Sequence, residues 1–248
     1  MMIKSKQLLF LIQLNVKRNF RDFKYVCLII LLPTIFYIIY SEIFPKNANI
    51  DGTSWVEYSL ISLISFGIMG NAINLLGTRV ASEKKDNWYN YLKVSPIKTS
   101  YYLISHLFTY LLISILFTIL MFVIAYFWNG VHIELTKVFY VTLALNIGSF
   151  VFLFLALIIG QLGSIAQSVG TIVYLILSFL GGLWMPVAAM PSNMQGFAKT
   201  LPSYNYAKLG WDIVAGNQIS WASVLTLIIY SFVFLVVFLY LSKREKKY

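Results

Sequence analysis

Six long apolar runs constrain this chain more than anything else in it. Each covers about 20 residues, enough for a helix to cross a hydrocarbon core of about 30 Å. None alternates polar with apolar residues along its length. Unbroken runs of this kind select spanning helices over the alternating strands of a lipid-facing β-barrel. They fall at about 25–44, 58–76, 102–127 and 138–159, from about 171 onward, and at about 221–241. Composition agrees: 59% of the 248 residues are hydrophobic and 11% are charged, against about 25% charged in soluble domains. The expected fold is therefore an all-α integral membrane protein with six transmembrane helices and little soluble mass.

The charges mark the ends of the runs. Lys4, Lys6, Lys17, Arg18, Arg21 and Lys24 precede the first. Arg79, Lys84, Lys85, Lys93 and Lys98 lie between the second and third, and Lys243, Arg244, Lys246 and Lys247 follow the last. With six spans and both termini on one side, 15 of the 19 Lys and Arg share that side. The positive-inside rule makes it cytoplasmic. Lys46, Lys137, Lys199 and Lys208 fall opposite, among Glu42, Asp51, Glu57, Glu134 and Asp212. A net charge of +10 laid out this way fits membrane topology and anionic lipid, with no nucleic-acid partner. Trp55, Trp128, Trp184, Trp211 and Trp221 all reach the outer ends, as an aromatic belt requires.

Residues 1–24 mix those six cations with Leu8, Leu9, Leu11, Ile12, Leu14, Val16 and Phe20. They read as an amphipathic helix lying on the membrane surface. The remaining 25–248 form the six-span domain. Pro33 predicts a kink in the first span. Cys27, the single cysteine, reads as a packing residue. The second span is rich in Ser59, Ser62, Ser65, Gly67, Gly70, Asn71 and Asn74, a composition that packs closely against another helix or lines a path. His106, near the inner end of the third span, reads as packed or interfacial. Gly160 to Gly170 carries no formal charge and reads as a helix-breaking turn.

Two stretches depart from simple spans. Between Arg79 and Ser100 the chain reads RVASEKKDNWYNYLKVSPIKTS. As a helix over about 81–94 it places Lys84, Trp88, Tyr91 and Leu92 near one another. Ser95 and Pro96 then supply an N-cap and first turn for the next helix. This stretch reads as a short cytosolic helix that receives force from a partner, or as an ordinary solvated loop. From about 184 to 216, Pro186, Pro191 and Pro202 break a segment too apolar for an open loop. It reads as short half-helices re-entering the outer membrane face, with protein covering their ends.

The chain has no G-x-x-x-x-G-K-[ST] loop and no HExxH motif, and no charged residue stands confidently at mid-span. ATP binding in the P-loop manner, intramembrane hydrolysis and ordinary ion coupling are thus poorly supported. What remains is a bundle with no catalytic engine of its own.

In this order of parts the sequence resembles the permease subunits of ABC-2 type (type V) ABC exporters, over nearly its whole length. Glu83, Leu92 and Ser95-Pro96 stand where that family's cytosolic motif has its acidic residue, its Leu and its Ser/Thr-Pro. Asn87-Trp88 replaces the common Gly-Thr. Residues 180–216, LGGLWMPVAAMP through LPSYNYAKLGWDIVAG, resemble the drug- and antibiotic-export branch.

The resemblance implies a complex of two permeases with two separate cytosolic ABC ATPase subunits in a bacterial-type plasma membrane. This chain would bind no cofactor; ATP and Mg would sit on the ATPase. Glu83, Lys84, Lys85, Trp88, Tyr91, Leu92, Ser95 and Pro96 become the coupling contact. The resemblance also implies a substrate path along spans one, two and five, with Phe36, Tyr37, Phe66, Asn71, Asn74, Tyr174 and Phe179 as candidate linings. So few charges suit an amphiphilic or hydrophobic cargo: a drug, an antibiotic or a peptide. Lipid and polysaccharide exporters share the architecture, and a non-transporting sensor could use the same coupling helix.

Overall fold

The computed structural model describes residues 2–22, 30–46, 48–50, 52–86 and 99–245. The described chain is helical almost throughout. In order it forms α1 (Met2–Arg21), α2 (Leu32–Ile43), a small hairpin of β1 (Asn49–Ile50) and β2 (Thr53–Ser54), and α3 (Trp55–Gly70). A π-helical stretch, Asn71–Leu76, joins α3 to α4 (Gly77–Lys85). Then come α5 (Thr99–Asn129), α6 (Leu135–Gly148), α7 (Phe150–Gly160), α8 (Ala166–Leu180), α9 (Ser192–Thr200), α10 (Pro202–Ala215) and α11 (Trp221–Glu245).

Among the described residues, five helical stretches are long and apolar enough to cross a membrane: Trp55–Glu83, Ile104–Asn129, Leu135–Gly160, Gly163–Leu180 and Trp221–Lys243. Leu32–Ile43 is a shorter apolar helix and forms the described part of the expected first span. Cys27 and the rest of that span's beginning lie outside the described residues. Pro33 falls in the first turn of α2. Ile30 and Leu31 before it are π-helical, a local irregularity of the kind that accompanies a bend in a helix.

The bundle is built around α3. Every residue from Tyr58 to Ile73 is buried. Its neighbours are α2, α5, α8 and α10 on different sides. Small residues make this possible. Gly67 lies so close to the Phe117 ring of α5 that a Cβ would sit 2.3 Å from it, and Gly70 meets the Tyr174 ring of α8 in the same way. The Ser and Gly content of this span thus serves packing. Its start is fixed by a capping box: the Ser54 hydroxyl accepts from the Glu57 N–H, and the Glu57 carboxylate accepts from the Ser54 N–H. The hairpin before it pairs Asn49 with Ser54 and Ile50 with Thr53. Gly52 takes the left-handed φ of +87° that the tight turn needs.

α6 and α7 form one long helix with a break at Ser149, whose hydroxyl donates to the Asn146 carbonyl (2.6 Å). α11 packs along α7 and against α10 and presents its remaining apolar side chains outward. The uncharged linker after α7 turns sharply through Gly163, at φ +60°, as its glycines suggested.

The segment between α8 and α11 is broken as expected. A 3-10 turn, Val187–Ala189, leads to α9 and then to α10, which begins at Pro202 and is capped by Gly216 at φ +76°. α10 wedges between α3 and α6. Trp211 stacks on Tyr58 (centroids 4.6 Å apart, 13° between planes), and its Nε1 donates to Ser62 Oγ (3.1 Å). The Lys137 ammonium donates to the Val214 carbonyl (2.9 Å) and so satisfies the end of α10.

The tryptophan belt is corrected here. Trp55 and Trp211 are buried in the core and Trp184 is half-buried, whereas Trp128 and Trp221 stand 55% and 84% exposed. Only the last two face outward. The others sit at the expected ends of their segments but point inward, because the α2–α3–α10 junction there is filled by aromatic rings.

Candidate functional site: the polar junction below α4 and the aromatic seam of the core

The helix expected to receive a partner is described as far as Asp86. It is helical to Lys85, and the Asp86 N–H donates to the Ser82 carbonyl (2.9 Å). Trp88, Tyr91, Leu92, Ser95 and Pro96 lie outside the described residues, and Lys84 and Lys85 are described as backbone alone.

Glu83 does not point away from the bundle. Its carboxylate pairs with Arg79 one turn earlier (3.3 Å), the two side chains being 13% and 10% exposed. It accepts from the Tyr102 hydroxyl of α5, and His106 Nε2 lies 3.9 Å from the same oxygen. Tyr102 and His106 meet edge to face, with centroids 4.5 Å apart.

The Arg79 guanidinium continues into α1. One terminal nitrogen donates to Asn15 Oδ1 (3.1 Å) and the other to Asn19 Oδ1 (3.5 Å). Asn15 in turn donates to Ser105 Oγ of α5 (3.1 Å). One guanidinium therefore ties three helices together. A buried ion pair loses its hydration, and neutral hydrogen bonds to both partners offset part of that loss; burial still disfavours both charges.

Sequence reasoning selected Glu83 and missed its company. Two signals were present: the i,i+4 spacing of Arg79 and Glu83, and the i,i+4 spacing of Asn15 and Asn19 in the C-terminal half of α1. His106 is a packed residue within this junction, in line with the expectation.

The seven candidate path residues separate. Phe66 stacks on Tyr174 (4.6 Å, 24°) and meets Trp184 edge-on (5.8 Å). The Tyr174 hydroxyl donates to the Phe66 carbonyl (3.2 Å). Phe36 meets the same Trp184 (5.7 Å, 78°) and stacks on Tyr40. Phe36, Phe66 and Tyr174 thus form one aromatic seam across α2, α3 and α8, closed by Trp184. Tyr37 is fully buried beside it.

The two asparagines occupy the π-helical stretch. Asn71 Nδ2 donates to Ser114 Oγ of α5 (2.8 Å) and is buried. Asn74 is half-buried, and its Oδ1 accepts from the Thr171 hydroxyl of α8 (3.4 Å). Phe179 is 46% exposed on α8. Within one chain, Tyr37, Phe66 and Asn71 are core. Asn74 and Phe179 border the outward face of α8, beside Ile172 and Ile176. π-Helical turns recur at functional positions, because they rotate the side chains that follow them. Here the turn aims two amides at two different helices.

Among the described residues, no group of His, Cys, Asp and Glu could hold a metal ion. The arrangement offers packing, hydrogen-bonded junctions and exposed apolar faces.

Two comparisons bear on what such a bundle is. The family model described as "ABC-2 type transporter" matches residues 6–209. The chain is also similar to "Putative transport permease YvfS" of Bacillus subtilis (strain 168), with 26% identity over 234 residues, covering 94% of this chain and 95% of that protein. The match begins within α1 and ends within α10, so the polar junction, the aromatic seam and most of the broken segment all fall inside it. The chain belongs to the ABC-2 type transporter family.

Proposed function

We propose that this chain is the permease subunit of an ATP-driven exporter that moves an amphiphilic or hydrophobic cargo out of a bacterial-type cell. A separate ATPase subunit binds and hydrolyses ATP with Mg, two permeases form the passage, and both chain termini lie in the cytoplasm. The observation that carries the reading is the polar junction of Arg79, Glu83, Asn15 and Tyr102. It lies at the start of the coupling helix of about 81–94, where the partner is proposed to press. A displacement of that segment would reach Glu83 and, one turn on, Arg79. From there it passes to α1 through the asparagines and to α5 through Tyr102, while α4 continues directly into the buried α3.

The charge arrangement supports the orientation: the three basic clusters belong to one side of a six-span chain. The exposed apolar face of α8, with Ile172, Ile176 and Phe179, supports a second permease packed against it. The preference for amphiphilic cargo rests on the scarcity of charge along the spans.

The test is transport itself. Inside-out vesicles holding the chain and its ATPase should accumulate an amphiphilic dye from a panel only when ATP is supplied. Accumulation that is equal with and without hydrolysable ATP, for every dye, counts against export of this cargo class. ATP hydrolysis stimulated by the chain without movement of any lipid, polysaccharide or amphiphile favours the sensor alternative.

A further inference from the structure

A cavity of about 730 Å³ opens beside the polar junction, between α1, α4 and the start of α5. On the α1 side it is lined by Phe10, Leu11, Leu14, Lys17, Arg18 and Arg21. These recur at spacings of three and four, so they form one flank of the helix. Along that flank the chemistry changes: Phe10 and Leu14 come first and remain exposed, and the three cations follow. Opposite them stand Arg79, Ser82, Glu83, Asp86 and Tyr102.

The charges do not balance. Four cations face two carboxylates, and Glu83 is already engaged by Arg79 and Tyr102. Among the described residues no carboxylate lies within 4 Å of Lys17, Arg18 or Arg21, and Arg18 acts on Glu83 only at longer range. A cavity that is apolar at one end, cationic at the other, and set beside a helix with Leu9, Phe10, Leu14 and Phe20 exposed matches a ligand of the same two-part character. We propose that it binds the phosphate headgroup of one anionic phospholipid from the leaflet on which α1 rests. Arg18, Arg21 and Lys17 hold the phosphate, and the start of an acyl chain lies along Phe10 and Leu14. Arginine forks hold phosphate in paired, charge-assisted hydrogen bonds, and basic pockets beside membrane helices select anionic headgroups. The site joins the interfacial helix to the junction before residues 87–98, so its occupancy would bias that junction.

Native mass spectrometry of the full chain in detergent tests this, with phosphatidylglycerol, phosphatidylcholine and inorganic phosphate as separate probes. The native chain should retain one phosphatidylglycerol in preference to phosphatidylcholine, and excess inorganic phosphate should not displace it. The exposed pair Arg18→Gln/Arg21→Gln should lower the affinity roughly 30-fold, about fivefold for each cation removed near the surface. Lys46→Gln/Lys243→Gln, which removes the same charge outside the cavity, should leave it unchanged. Equal retention of the two lipids, equal loss in both double variants, or displacement by phosphate would overturn the proposal. So would undiminished lipid retention by the Arg18/Arg21 variant together with loss of the ATPase complex, which would make these cations a protein contact.

Discussion

Removing the Glu83 carboxylate should destabilise the chain through Arg79, and the size of the effect follows from the geometry. In the native chain the guanidinium is 10% exposed, and among the described residues its carboxylate partner is Glu83 (3.3 Å). Glu83→Ala leaves that largely buried cation with two neutral oxygens, from Asn15 and Asn19. Stripping one partner from a buried pair costs about 3–5 kcal/mol. The two amide contacts persist, so the lower end applies, about 3 kcal/mol. For a chain of this size each kcal/mol corresponds to about 2–4 °C, so the melting temperature should fall by about 6–12 °C. Arg79→Leu/Glu83→Leu removes both charges and should lie closer to native than either single change, because apolar replacement of a whole buried pair is often neutral. Thermal unfolding of the purified chain in detergent, followed by tryptophan fluorescence, gives all the values under one condition. A Glu83→Ala shift below about 2 °C, less than 1 kcal/mol on the same scale, would refute the reasoning. So would a double variant as unstable as the sum of the two singles, since contacting residues are expected to couple.

Gly67→Ala should destabilise by about 1–3 kcal/mol, the usual cost of overpacking, because its Cβ would lie 2.3 Å from the Phe117 ring; Phe117→Leu in the same chain should recover part of the loss in the same melting assay. Lys137→Met should cost about 1–3 kcal/mol by leaving the Val214 carbonyl without its charged donor, and should raise proteolysis near the α10–α11 connection. Trp88→Ala should leave membrane insertion intact and weaken ATPase docking about 30-fold, if it is the anchor residue proposed; surface plasmon resonance with the ATPase immobilised measures this.

The parts that follow from run length and chain breakers were legible in the sequence. Apolar runs located the long helices, and Pro202 and Gly216 bound α10 as a starter and a left-handed cap should. The small residues around Gly67 and Gly70 announced close packing. Orientation of side chains was less legible. Five tryptophans at span ends suggested a belt, but Trp55 and Trp211 turn inward because Tyr40, Tyr58 and Ser62 offer them ring faces and a hydroxyl. An aromatic residue at helical spacing looks the same whether it meets lipid, cargo or core, and for that reason Tyr37 and Phe66 could be chosen as linings. The hairpin did leave a signal in Asp51-Gly52, a common two-residue turn pair, but a ladder of two pairs has no run long enough to register as strand. The Arg79 junction is non-local: Asn15 and Arg79 are 64 positions apart, and only folding brings them together.

The most direct measurement is co-purification of the tagged full chain with the ABC ATPase encoded with it, read out as complex stoichiometry and ATP hydrolysis. The account predicts a complex of two permeases and two ATPases that hydrolyses ATP, and loss of that complex in Trp88→Ala while the variant still inserts into the membrane. A native chain that purifies alone and leaves the ATPase's hydrolysis unchanged would contradict it.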